Sequence, residues 1–235
     1  MTKVKICGLT NFEDARVVAE AGADLLGFIF YEPSPRYIKP ERVREIVSGL
    51  KALELPAEGQ DSKPVSYNPN QVTCVGVFVN MPLETVSQIL EFCRLDGAQL
   101  HGEEPPEMVA FFNGRAFKAL RPKSAQEAAG HLQTYFPSPP LAPSDLPHVL
   151  LDAYHPHLYG GTGQVGDWSL AARIAQQYAV MLAGSLTPAN VAEAIHQVNP
   201  WGVDVSSGVE AEKGRKDHEK VRAFIKEVKG YKSKT

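Results

Sequence analysis

Residues 4–30 have the sequence VKICGLTNFEDARVVAEAGADLLGFIF, which contains one complete strand–helix–strand unit. Runs of β-branched and apolar residues predict strands at Val4–Cys7 and Leu25–Phe30. Between them, Thr10-Asn11-Phe12-Glu13 has the form of a capping box at the start of a helix. Two strands that are joined by one helix are typical of a parallel βαβ unit.

The same alternation continues to the end of the chain. Segments with helical periodicity, such as Glu41–Leu50 and Leu83–Arg94, separate six further predicted strands: Val72–Val79, Gly97–His101, Phe117–Leu120, His148–Asp152, Val180–Ala183 and Val203–Val205. Eight βα units can close into a barrel or form an open doubly wound sheet. Because eight units and their connections fill all 235 residues, we expect an α/β fold of the (β/α)₈ TIM-barrel type, with a parallel closed sheet and one domain over residues 1–235.

Helix starts and interruptions add detail to this pattern. Ser124-Ala125-Gln126-Glu127 is a second capping box, and in Thr187-Pro188 the proline stands where the first residue of a helix tolerates it. Residues 54–71 and 136–147 are rich in proline and polar residues, which predicts loop insertions. Both follow a helix and precede a strand, so they should lie on the face opposite the active site.

Composition excludes several classes of protein. The net charge of −3 and the pI near 6.2 give no indication of binding to nucleic acid or to an acidic membrane. No apolar stretch reaches the roughly 20 residues of a membrane-spanning helix, and the N-terminus lacks the apolar core of a signal peptide. Cys7, Cys74 and Cys93 form no CxxC motif. We therefore expect a cytoplasmic protein.

Two strand ends carry side chains that can move protons. The active sites of barrels of this type lie at the carboxyl ends of the strands. A cysteine in a strand is often only a small buried hydrophobe, but alternation places Cys7 and Lys5 on the inward face, opposite Val4 and Ile6. Asp152 ends the sixth predicted strand, after the apolar run Val149–Leu151; it could cap a helix or serve as a loop ligand, although the next helix begins only near residue 167.

Other strand ends suggest binding groups. Arg36 lies in the stiff segment Pro33–Tyr37, and a guanidinium matches a carboxylate bidentately. The turns after the seventh and eighth strands, where such barrels commonly bind phosphate, contain Gly184, Ser185, Ser207 and Gly208. Arg121 also lies at a strand end, directly after the predicted strand Phe117–Leu120. His101 has no partner at metal-ligand spacing and the pair His155 and His157 is isolated, so we expect no metal site.

Ten segments, in order along nearly the whole chain, resemble the phosphoribosylanthranilate isomerase family: KICGLT (5–10), GADLLGFIF (22–30), SPRYI (34–38), VGVFVN (75–80), QLHGEE (99–104), KALRP (118–122), LLDAY (150–154), GGTGQ (160–164), LAGSLTPANV (182–191) and GVDVSSGVE (202–210). The resemblance implies an aldose–ketose isomerase of tryptophan biosynthesis that uses no cofactor or metal. Its reaction is the Amadori rearrangement of N-(5-phosphoribosyl)anthranilate to 1-(2-carboxyphenylamino)-1-deoxyribulose 5-phosphate.

The resemblance also assigns roles to residues. It implies that Cys7 is the general base, that Asp152 is the general acid and that Arg36 holds the anthranilate carboxylate. It places the phosphate of the substrate on the backbone near Gly184, Ser185, Ser207 and Gly208. The partner is thus a small phosphorylated substrate, neither nucleic acid nor membrane, and we expect a monomer or a weak homodimer.

The assigned chemistry makes demands on the two catalytic groups. Cys7 must become a thiolate, which the charge of Lys5 would favour, and Asp152 must hold a proton when substrate is bound. The chain departs from the family at Ser185, where glycine is common and where a positive φ would strain serine. It departs again at Gly166, where an aromatic residue is frequent.

Two alternatives remain open from the sequence. One is another barrel enzyme that acts on a phosphosugar, such as a ribulose-phosphate epimerase or the next synthase of the same pathway. The other is a barrel that binds a phosphoribosyl ligand without catalysis. A pure binding protein would need neither Cys7 nor Asp152, and the expected metal ligands of an epimerase are missing from the strand ends.

Overall fold

The computed structural model describes residues 1–53, 72–137, 145–152 and 168–231. Eight parallel strands form a closed barrel in chain order, and the first strand pairs with the eighth. The strands are β1 (Lys3–Cys7), β2 (Leu25–Ile29), β3 (Thr73–Phe78), β4 (Gly97–Leu100), β5 (Ala116–Leu120), β6 (Val149–Asp152), β7 (Val180–Ala183) and β8 (Gly202–Val205). This confirms the predicted fold, and each strand lies within one residue of its predicted bounds at either end.

The helices lie between and after the strands. They are α1 (Phe12–Glu20), α2 (Pro40–Ala52), α3 (Leu83–Cys93), α4 (Pro106–Phe111), α5 (Ala125–Tyr135), α6 (Trp168–Ala175), α7 (Val191–Val198) and α8 (His218–Gly230). No helix in the described ranges has the length and apolar character needed to cross a membrane.

The sheet separates two apolar layers. Val4 and Ile6 of β1 belong to the layer between the sheet and the helices, whereas Leu25, Phe117 and Met181 belong to the cluster inside the barrel. Burial of each such side chain contributes about 1.5–3 kcal/mol. The alternation of β1 therefore turns Lys5 and Cys7 toward the barrel interior, as the sequence predicted.

Two helix starts differ from their predictions. Helix α1 is capped by Asn11, whose side chain accepts a hydrogen bond from the Asp14 N–H at 2.8 Å; Thr10 donates instead to the Gly214 carbonyl. The capping-box prediction was thus wrong by one residue. Helix α7 has the bounds Val191–Val198 and so begins three residues after Pro188, but a turn does start at Thr187, whose carbonyl accepts hydrogen bonds from the N–H groups of Asn190 and Val191.

The start of α5 agrees with the sequence. Ser124 accepts a hydrogen bond from the Glu127 N–H at 3.1 Å, as a capping box requires. The Glu127 carboxylate returns to the N–H of Lys123, one residue before the usual position. The predicted insertion at residues 54–71 lies outside the described residues, and so do residues 138–144 of the predicted insertion at 136–147.

A short hairpin follows the barrel and was absent from the sequence prediction. After β8 the chain forms a 3₁₀ turn (Ser207–Val209) and two antiparallel strands, β9 (Glu210–Glu212) and β10 (Arg215–Lys216). Gly214 makes the connection with φ of 81°. The hairpin is bound to the start of the chain, because the Lys216 N–H donates to Asp14 of α1 at 2.9 Å. It therefore lies beside the carboxyl ends of β1 and β8.

Candidate active site

A cavity of about 300 Å³ opens at the carboxyl ends of the strands. Such a volume is at the small end of ligand sites. Its lining includes the seven residues to which the resemblance assigned roles: Cys7, Arg36, Asp152, Gly184, Ser185, Ser207 and Gly208. The closed sheet brings these residues together, although they are up to 201 positions apart in the chain.

Cys7 lies above a buried ion pair. Lys5 and Asp204 are partners in the register of β1 and β8, and Lys5 Nζ lies 3.0 Å from Asp204 Oδ1. A Cβ atom on Gly27 of β2 would come within 2.8 Å of Cys7 Sγ and 3.1 Å of Lys5 Nζ. The bare glycine therefore leaves the space that the thiol and the ammonium share.

The pKa of the Cys7 thiol moves in the direction opposite to the one expected. Burial raises it, and the carboxylate of Asp204 raises it further, while the charge of Lys5 opposes the change only in part. Burial also acts against the charge of Lys5, but Asp204 and Cys7 hold the pKa of this ammonium above its usual value. These surroundings thus favour a neutral thiol beside a protonated lysine.

Asp152 sits in surroundings that favour its protonated form. Burial raises the pKa of this carboxyl, although Arg121 lowers it from 3.0 Å away. Arg121 also donates from Nη2 to His101 Nε2 at 2.5 Å. Burial and the neighbouring cations lower the pKa of His101 to about 3, so the ring is neutral at physiological pH. The sequence did not predict that Arg121 would contact both Asp152 and His101.

Arg36 reaches the cavity from the turn after β2. Gly8 makes room for it, because a Cβ atom there would lie 2.6 Å from Arg36 Cδ. The guanidinium makes two hydrogen bonds of 2.7 Å to Glu210 of the hairpin. The sequence analysis did not identify Glu210 as part of the site. Glu210 also accepts a hydrogen bond from Lys216 Nζ at 3.1 Å.

The turns after β7 and β8 approach each other closely. A Cβ atom on Gly208 would lie 1.9 Å from the Leu186 carbonyl oxygen, so only glycine fits there. Gly184 and Ser185 have φ values of 98° and 50°. Ser185 therefore adopts the left-handed conformation in which its strain was predicted. A short 3₁₀ turn, Ser207–Val209, follows β8 at the edge of the cavity.

Some predicted features lie outside the described residues. They include the last two residues of the segment 150–154, the pair His155 and His157, the segment 160–164 and Gly166.

A family model, a curated relative and a solved structure that match this chain name the same kind of enzyme. The family described as "N-(5'phosphoribosyl)anthranilate (PRA) isomerase" matches residues 60–227. An N-(5'-phosphoribosyl)anthranilate isomerase of Geobacter metallireducens is 43% identical over 229 residues, which cover 97% of this chain and 100% of that protein. The structure of phosphoribosyl anthranilate isomerase from Thermotoga maritima is 40% identical, has a TM-score of 0.79 and is matched over 98% of this chain and 100% of its own.

A further solved structure carries a ligand. It is a phosphoribosyl anthranilate isomerase in complex with reduced 1-(o-carboxyphenylamino)-1-deoxyribulose 5-phosphate. This protein is 38% identical with a TM-score of 0.76, and the match covers 98% of this chain and 100% of that one.

Proposed function

This chain belongs to the N-(5'-phosphoribosyl)anthranilate isomerase family, and on that premise we propose that it converts N-(5-phosphoribosyl)anthranilate into 1-(2-carboxyphenylamino)-1-deoxyribulose 5-phosphate in tryptophan biosynthesis. The observation that carries the proposal is the cavity of about 300 Å³ at the carboxyl ends of the strands, which Cys7 and Asp152 line together with Arg36 and the turns after β7 and β8.

Asp152 acts as the general acid in the first step. It gives a proton to the furanose ring oxygen, the bond between that oxygen and C1′ breaks, and a protonated Schiff base forms between C1′ and the arylamine nitrogen. The raised pKa of Asp152 supports this role, because the group must enter the step protonated.

Cys7 acts as the general base in the second step. Its thiolate takes the proton from C2′, and the electron pair of that bond forms the C1′=C2′ double bond of an enolamine. The enolamine gains a proton at C1′ and loses the hydroxyl proton at C2′, which gives the ketone. Because burial favours the neutral thiol, Lys5 has the task of stabilising the thiolate when it forms.

The remaining residues hold the two ends of the substrate. Arg36 binds the anthranilate carboxylate, and the backbone near Gly184, Ser185, Ser207 and Gly208 binds the phosphate. The protein works as a single barrel domain in the cytoplasm, as a monomer or a weak homodimer, without a nucleic acid or membrane partner. Light scattering of the purified protein tests this state.

The decisive assay follows the fluorescence decay of phosphoribosylanthranilate that is generated in situ. We expect rapid decay with the protein, and a loss of kcat of about 10²–10⁴-fold in both Cys7→Ala and Asp152→Asn, each with product binding retained. Cys93→Ala is the matched control, since Cys93 is buried in α3 away from the cavity. Turnover near the wild-type rate in either catalytic variant refutes that residue's role.

The same assay separates the competing functions. If the wild-type protein accelerates nothing but binds the reduced product analogue in calorimetry, it is a binding protein. If it does neither, the substrate is a different phosphosugar.

A further inference from the structure

Arg36 and Glu210 form an enclosed pair at the edge of the cavity. The exposed fractions of their side chains are 19% and 5%. Arg36 Nε donates to Oε1 and Nη2 donates to Oε2, both at 2.7 Å, which is the parallel two-bond arrangement of an ideal arginine–carboxylate pair. Such a pair fixes the plane of the guanidinium, whereas a single contact would let it rotate.

The pair leaves one edge of the guanidinium available. An arginine has five N–H groups, and Glu210 occupies the edge formed by Nε and Nη2. The end-on edge, formed by Nη1 and the second N–H of Nη2, makes no hydrogen bond within the described part of the chain. This edge also matches a carboxylate bidentately, and Arg36 lines the cavity.

The rest of the hairpin fixes Glu210 in turn. Lys216, whose side chain is fully buried, donates from Nζ to Glu210 Oε1 at 3.1 Å and to the Ser206 carbonyl at 3.0 Å. Lys220 donates to the Glu210 backbone carbonyl at 3.0 Å. Burial acts to raise the pKa of Glu210, but Arg36 and Lys216 hold it below its usual value, so the group remains a carboxylate.

We propose that Glu210 is a positioning residue, which orients Arg36 so that its end-on edge receives the carboxylate of the anthranilate ring. This inference rests on the proposed function, because it needs a substrate that carries that carboxylate. It assigns to the β9–β10 hairpin the task of giving the enzyme its preference for a carboxylated aromatic amine.

The test compares two ligands on each variant. One is the reduced product analogue with a 2-carboxyphenylamino group, and the other is the same phosphate ester with a phenylamino group. For the wild type, calorimetry should show a preference of about 10- to 100-fold for the carboxylated ligand. Glu210→Gln should lose most of that preference, because Gln offers Arg36 one acceptor and an NH₂ group that repels it. The same variant should bind the phenylamino ligand with an affinity within about threefold of that of the wild type.

Two variants act as controls. Glu212→Gln removes an exposed carboxylate from the same short strand and should keep the full preference. In the double variant with Arg36→Met, Glu210→Gln should cause no loss beyond that of Arg36→Met alone, because a positioning residue acts only through its partner. In turnover, Glu210→Gln should raise KM about 10-fold or more and change kcat by less than about threefold.

The design also covers a poorly folded variant. Because both ligands are compared on one protein, an unfolded fraction weakens their binding equally and leaves the preference unchanged. Glu210→Asp keeps the charge and shortens the reach, so it should lose part of the preference. An unaltered preference in Glu210→Gln overturns the inference, and so does tighter binding of the carboxylated ligand, which would make Glu210 a competitor of the substrate. Absence of a preference in the wild type instead refutes the role of Arg36 in the proposed function, and this inference falls with it.

Discussion

At Gly27, the addition of one carbon atom should lower the rate of the reaction while the protein still folds. Alanine at this position would place its Cβ 2.8 Å from Cys7 Sγ and 3.1 Å from both Cys7 Cα and Lys5 Nζ, whereas ordinary contacts begin at 3.4 Å. The sulfur must therefore retreat by at least about 0.6 Å, and displacement of a reacting group by about 1 Å can cost about 10²-fold in rate. Overpacking of this kind also lowers the free energy of unfolding by about 1–3 kcal/mol.

We therefore expect Gly27→Ala to lose about 10²-fold in kcat, measured by the fluorescence decay of phosphoribosylanthranilate, and to remain folded in urea titrations. Gly130→Ala is the matched control. Gly130 lies in α5 with nothing within 4 Å of an added Cβ, so that variant should keep its kcat and gain about 0.5–1 kcal/mol of stability. A wild-type kcat in Gly27→Ala would refute the argument that the position of the thiol limits the reaction.

Three other variants test the surroundings of the cavity. Arg121→Met removes the cation that opposes the raised pKa of Asp152, so the alkaline limb of the kcat–pH profile should move to higher pH; an unmoved limb would contradict Asp152 as the acid. Ser185→Gly relieves a left-handed serine and should raise the free energy of unfolding in urea by about 0.5–1 kcal/mol, whereas a loss would show that the hydroxyl makes stabilising contacts. Burial raises the pKa of Asp14, but hydrogen bonds from the Lys216 N–H, His218 and Asn11 outweigh it and bring the pKa below its usual value. Its stabilisation is therefore present above about pH 4 and is lost as the pH falls through the lowered pKa, so the stability gap between wild type and Asp14→Asn should narrow in acid.

The local pattern of the sequence was sufficient to predict the barrel. Strand alternation depends only on neighbouring residues, and it correctly turned Lys5 inward and Val4 outward. Once eight parallel strands close, their carboxyl ends meet at one face. For this reason the sequence alone was enough to predict that Cys7 and Asp152 line one cavity.

What could not be predicted depends on contacts between distant segments. Nothing near Arg36 indicates that its partner is Glu210, which lies 174 residues later in a hairpin whose two strands have three and two residues. The direction of the pKa shift of Cys7 was predicted wrongly for a related reason. Lys5 is visible in the sequence as a nearby cation, whereas the burial that outweighs it is a property of the closed barrel.

Contact between the hairpin and α1 also bears on how the enzyme is made. The bond from the Lys216 N–H to Asp14 joins residues 202 positions apart, and the Arg36 guanidinium can meet its carboxylate partner only after Glu210 has been synthesised. A ribosome releases a chain from its N-terminus at about 5–20 residues per second, so roughly ten seconds or more must separate the synthesis of Arg36 from that of its partner. Closing so long a loop costs about 0.6 kcal/mol more for each doubling of its length. A nascent chain that ends before the hairpin therefore contains Cys7 and Asp152 but lacks Glu210, the residue that we propose orients Arg36.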